Sequence, residues 1–225
     1  MKLSIDQQRK LNSFIYDPLF LNNCKDILLD YIYSSLACSF ISLKPLELEI
    51  LYYYSSNIIS KKKANFLILE FVKETDIVFD FDSFLFFSKM IKDAYKFCDG
   101  IFIKNNSIYR QKKLYLKYKR FPEILSIEVT KDLSFLKPVL LNKKIINIYF
   151  KDRKPELSLD NVIDFEIEKE EIKKYNSFFE WFDVLKLKIM VQNFDVAFIS
   201  LGMYSNILNH FISQNLNKIA ITKGE

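Results

Sequence analysis

The C-terminal end of the chain holds the pattern that most restricts its fold. Phe194-Asp-Val-Ala-Phe-Ile-Ser200 and Lys218-Ile-Ala-Ile-Thr222 are almost continuously apolar, without the alternation of a strand that keeps one face wet. Between them, Gly202 supplies a turn and residues 204–215 a helical stretch. An apolar strand, a turn, a helix and a second apolar strand form a parallel pair whose two faces are both covered. Glycine usage agrees with this α/β reading. The chain has 3 glycines in 225 residues, where about 7% is usual. So few exclude collagen-like chains, Gly-rich linkers, all-β folds with many tight turns, and an intact P-loop or dinucleotide fingerprint.

Upstream, Ser177-Phe-Phe-Glu180 has the spacing of a capping box and predicts a helix start. Phe178, Phe182, Leu185 and Ile189 then lay one apolar stripe along that helix. Further strands are predicted at Phe66–Leu69, Ile77–Phe81, Ile101–Ile103, Ile124–Val129, Lys144–Phe150 and Val162–Ile167. A helix capped by Asp82 separates the second and third of these, and another is expected over 109–120. Residues 26–43 and 46–60 read as two antiparallel helices hinged at Pro45. The seventeen residues between Asp26 and Lys44 include Asp30 and four serines, too short and polar a run to span a bilayer. The expected whole is one α/β domain over 1–225. It comprises an N-terminal helical pair within 1–62 and a Rossmann-like, mostly parallel sheet flanked by helices within 63–225.

Charge and cysteine content narrow the chemistry. The net charge of +5 is below the strong basic excess of dedicated nucleic-acid proteins. Cys24, Cys38 and Cys98 are odd in number and form no CxxC pair, which argues against a disulfide framework or a zinc knuckle. The start MKLSIDQQRKLN lacks the apolar core of a secretory signal. A cytoplasmic protein is expected, with the inner face of the membrane within its range. His210 is the only histidine and reads as packing. Asp99-Gly100 reads as a turn, and Asp80 with Asp82 as a helix start. Lys104 to Arg120 contains seven basic residues, no acidic one, and Tyr109, Tyr115 and Tyr118. Such a segment suits nucleic acid, anionic lipid head groups or a diphosphate, or is simply a solvated helix face.

Ser200-Leu-Gly-Met-Tyr-Ser205 occupies the strand-to-helix turn where open α/β sheets bind ligands. There Gly202 lets a phosphate approach the backbone and the helix start offers amide donors; alternatively, it only permits a tight turn. Lys223 and Gly224 end the next strand at the same edge, so Ser200, Gly202, Tyr204, Ser205, Lys223 and Gly224 form the candidate binding set. Glu74 and Asp76 form a carboxylate pair suited to a hard cation such as Mg²⁺ or Mn²⁺, or are solvated turn residues.

The run from Ser177 to Glu225 resembles the C-terminal part of bacterial GT-D-type glycosyltransferases and their relatives in surface-polysaccharide gene clusters. Phe178-Phe179-Glu180, Asp195, Ala197, Gly202, Tyr204 and the Ile219-Ala220-Ile221 strand follow that family's order, and Lys143–Phe150 resembles its preceding Lys-Lys strand. Family glycines flanking the strand end are Ser200 and Ser205 here, and a terminal Gly-Gly is Gly224-Glu225. The resemblance implies a nucleotide-sugar donor held at Gly202 and a glycan or lipid-linked acceptor. It further implies a divalent metal on an acidic motif after the first strand, for which Glu74 and Asp76 in Glu70–Asp76 are the nearest counterpart. It equally admits a non-catalytic relative that binds or scaffolds.

Overall fold

The computed structural model describes residues 20–34, 37–54, 61–75, 80–103, 122–157 and 159–223. Its helices are α1 (Phe20–Ser34), α2 (Pro45–Tyr54), α3 (Lys61–Thr75), α4 (Phe81–Phe97), α5 (Lys137–Leu140), α6 (Lys169–Ile172), α7 (Phe178–Met190) and α8 (Ser205–Asn215). The strands are β1 (Ser39–Ser42), β2 (Gly100–Ile103), β3 (Glu123–Ser126), β4 (Ile145–Phe150), β5 (Val162–Ile167), β6 (Val196–Ser200) and β7 (Ile219–Thr222). They form one seven-stranded, wholly parallel sheet in the order β3-β2-β1-β7-β6-β4-β5. The α/β architecture flanked by helices is therefore that expected from the apolar strands.

Residues of α2, α3, α4, α7 and α8 share one buried cluster with Ile41, Ile101, Ile148, Ile199 and Ala220 on the first sheet face. Residues of α1, α5 and the 3₁₀ turns after β3 pack with Phe40, Phe102, Phe198 and Ile221 on the second. Connections running toward β3 use the first face and those running toward β5 the second. Every described crossover thus has one hand, as strand twist requires.

Two aspartates splice the amino edge. Asp99 donates its N–H to Ser39 O, accepts from Ser39 N at 2.8 Å and accepts from Glu123 N, joining β1, β2 and β3. Asp195 does the same for its neighbours, bonding both Lys144 N and Lys144 O and accepting from Ile219 N. Gly100 begins a strand here, and a Cβ on it would lie 2.4 Å from the Phe40 ring.

Several expected elements are corrected. Residues 39–42, expected as helix, form the interior strand β1, third of the seven, and all four are buried. The helical pair hinged at Pro45 is instead a helix, a strand and a helix, with Pro45 opening α2 where its missing N–H costs nothing. Phe66–Leu69 is not a strand but the middle of α3, whose Ala64, Leu67 and Phe71 are buried at helical spacing. In α4 the cap is Asp80, accepting from Ser83 N at 2.7 Å, and Asp82 lies in the first turn. Phe81 is therefore helical; 77–79 lie outside the described residues, as does the helix expected over 109–120. The strand expected to reach Val129 stops at Ser126 and continues as a 3₁₀ turn.

Candidate functional site

The sheet order creates a point of divergence. β4 leads outward to β5 across the second face, whereas its neighbour β6 leads inward to β7 through α8 on the first. Adjacent strands whose connections leave on opposite faces open a crevice at their carboxyl ends. Gly202 lies at this edge, immediately after β6. Its φ is 60°, a left-handed conformation that a side chain would strain.

The same edge carries two lysines from other strands. Lys44 follows β1, and its Nζ would lie 3.8 Å from a Cβ placed on Gly202. Lys223 follows β7, donates its N–H to Ile199 O at 2.9 Å and its Nζ to Glu156 O, crossing toward the β4–β5 connection. Burial holds the Lys223 ammonium below its ordinary pKa, opposed by the Glu156 carboxylate.

A buried network positions Lys44. Strands β1 and β7 pair only at Ser39–Ala220 and Phe40–Ile221, and beyond that point α8 supplies the missing partners. Asn206 accepts from Ser42 N at 3.2 Å and donates to Ser42 O at 2.8 Å, so its carboxamide stands in for a strand neighbour. It also donates to Glu47 Oε1 at 2.7 Å, while Glu47 Oε2 accepts from Lys44 N at 2.8 Å. Glu47 is fully buried, and these two donors meet its desolvation cost and fix the turn between β1 and α2. One turn along, Asn209 donates to Phe40 O and Ala220 O and accepts from Ser39 Oγ at 2.6 Å.

Of the residues expected to bind, Ser200, Gly202, Tyr204 and Ser205 fall within one strand-to-helix turn, and Lys223 joins it through Ile199. Their exposure differs. Ser200 and Ser205 are buried, and Ser205 Oγ accepts from Leu201 N at 2.7 Å, locking the turn. Tyr204 is a core residue, stacked on Phe178 at 5.0 Å and flanked by Phe71, Phe87, Phe150 and Trp181. Gly202 and Lys223 are the half-exposed members. Gly224 and Asp76 lie outside the described residues, as does the Glu74 side chain. The Glu74 backbone closes α3, whose Phe71 meets Tyr204 at 6.4 Å. The basic segment 104–120 also lies outside them. His210 is half-buried, stacked on Phe97 at 5.6 Å, and burial lowers its pKa while Asp93 opposes the shift.

Sequence reasoning missed Lys44, Glu47 and Asn206. The signal was present in Lys44-Pro45-Leu46-Glu47, a helix opening with Pro first and Glu in the first turn, directly after an apolar run. Among the described residues no three His, Cys, Asp or Glu side chains gather to hold a metal ion, and both Glu47 oxygens already accept hydrogen bonds. The edge as described brings the Lys44 and Lys223 side chains near Gly202 and Ile199. No protein-family model, curated protein or solved structure matches the chain.

Proposed function

We propose that the chain is a glycosyltransferase-like protein of bacterial surface-polysaccharide synthesis that binds a nucleotide-sugar by its diphosphate at the carboxyl edge of the sheet. The observation that carries this reading is the left-handed Gly202 turn facing the Lys44 ammonium. A bare backbone admits phosphate oxygens to close range, and a lysine whose backbone N–H is held by the buried Glu47 carboxylate brings its ammonium to the same turn. Lys223 provides a second cation. Transfer to a glycan or lipid-linked acceptor additionally needs a base for the acceptor hydroxyl. Glu47 does not suit that role, being buried and doubly hydrogen-bonded. Glu74 and Asp76 are the carboxylates left for it, or for Mg²⁺ or Mn²⁺.

Calorimetric titration with UDP, GDP and their sugar conjugates, with and without Mn²⁺, tests the binding step. Micromolar binding that weakens at least ten-fold in Lys44→Ala, about 1.4 kcal/mol, supports it. Absence of binding to all of them contradicts it. Sugar release or transfer in the same samples separates an enzyme from a binding subunit.

A further inference from the structure

We infer that the amino edge of β4 and β5 holds a binding site for a small apolar monocarboxylate, at the opposite end of β4 from the Gly202 turn. A cavity of about 180 Å³ opens there, between the chain entering β4 and the chain entering β5. Leu140 and Ile145, both buried, and the half-buried Leu159 give it an apolar floor. Leu141 is 76% exposed and the Asp160 side chain 81%, so the mouth reaches the surface. An apolar concavity rimmed by a few polar groups is the form of a small-molecule site. Its volume sets the size of the guest, since an apolar cavity of about 150 Å³ holds benzene.

Charge sets the chemistry of the guest. Lys137, Lys143 and Asp160 line the cavity, two cations against one anion. Lys137 pairs with Asp160 at 3.4 Å. Among the described residues no carboxylate lies within ion-pair distance of Lys143. The Cys38 thiol, within range of the Lys143 charge, is pushed up to about 12 by burial and stays neutral, so it supplies no counter-ion. A half-buried ammonium beside apolar surface therefore matches a guest with one negative charge and a hydrocarbon body. A phosphate dianion fits less well, because its second charge and the apolar floor both go unmatched. The walls are fixed by backbone bonds. Lys143 N–H donates to Leu140 O at 2.9 Å, and Lys144 bonds Asp195 through both its N–H and its carbonyl. Opposite, Asn161 turns the chain into β5 with a φ of 57°, a left-handed conformation that asparagine tolerates. The site stands on these residues alone and does not depend on nucleotide binding at Gly202.

NMR titration of the full isotope-labelled chain with sodium hexanoate tests the inference, with hexanol as the uncharged counterpart. Hexanoate should give saturable shifts of the Leu140, Ile145, Leu159 and Asn161 amide signals at about millimolar concentration, the range its size allows. Hexanol should bind about ten-fold more weakly. Lys143→Met keeps an unbranched apolar side chain, removes the charge, and should weaken hexanoate about ten-fold. Leu159→Trp fills the cavity and should abolish the shifts while the signals of β6 and β7 stay in place. Equal affinity for hexanol, wild-type affinity in Lys143→Met, saturable shifts retained in Leu159→Trp, or no saturable shift in the wild type overturns the inference.

Discussion

Asn209 is fully buried, and its Nδ2 serves Phe40 O and Ala220 O where β1 and β7 separate. Alanine there removes the second hydrogen bond to each of two ladder carbonyls and the acceptor of the Ser39 hydroxyl in a dry site, three bonds at about 0.5–1.5 kcal/mol each. Asn209→Ala should lower the unfolding free energy in urea by about 3 kcal/mol, and a loss under about 1 kcal/mol contradicts this account of the sheet. Gly100 makes a different demand. The 2.4 Å approach of a Cβ to the Phe40 ring means that Gly100→Ala must displace a fully buried aromatic, costing about 1–3 kcal/mol by overpacking. His210 gives a pH signature. Burial holds its folded pKa below the ordinary 6.5, so the unfolded chain takes up the proton first and stability falls as pH drops below 6.5. Thermal melts across that window should show a slope that His210→Gln reduces, and an unchanged slope would remove the histidine from the explanation.

Helix starts show how far local chemistry carries. Ser177 Oγ accepts from Glu180 N at 3.2 Å as the capping box predicts. The return bond differs, because Glu180 Oε2 accepts from the Asn176 N–H and Nδ2 and so reaches one residue further back. Ser177→Ala should cost about 1 kcal/mol in urea melts, and no change would show that Asn176 alone caps α7. The strands β4 to β7 were legible for a related reason. Each is apolar or alternating and flanked by turn residues, so period and punctuation agree. Strand β1 was not, because Ser39-Phe-Ile-Ser42 continues an apolar run that also suits a buried helix, and only the pairing with β2 and β7 decides between them. Phe66–Leu69 failed in the opposite direction, since four apolar residues resemble a strand until Ala64 and Phe71 complete the helical period. The Gly202 turn was readable from its own sequence. Lys44, Glu47 and Asn206 were not, because the site they build depends on Asn206 bonding Ser42 and Glu47 over 164 and 159 residues of separation.

At the scale of the molecule, the seven-stranded order brings the ends of β1, β7 and β6 to one edge and sends the connections after β4 and β6 to opposite faces. The divergence of connections at that edge follows from topology, and Lys44 and Lys223 are the lysines that follow β1 and β7 there. The buried Asn206–Glu47 network couples the two halves of the sheet at that point, so a ligand on Lys44 should stabilise the fold as well as occupy the site. The most direct test is a calorimetric titration of UDP and GDP into wild-type protein and Lys44→Ala, with urea stability measured alongside. Micromolar binding to the wild type is expected, with at least a ten-fold loss in Lys44→Ala and unfolding free energies within about 0.5 kcal/mol of each other without ligand. Failure of both nucleotides to bind, or equal affinity in the two proteins, would contradict an anion site at the Gly202 turn.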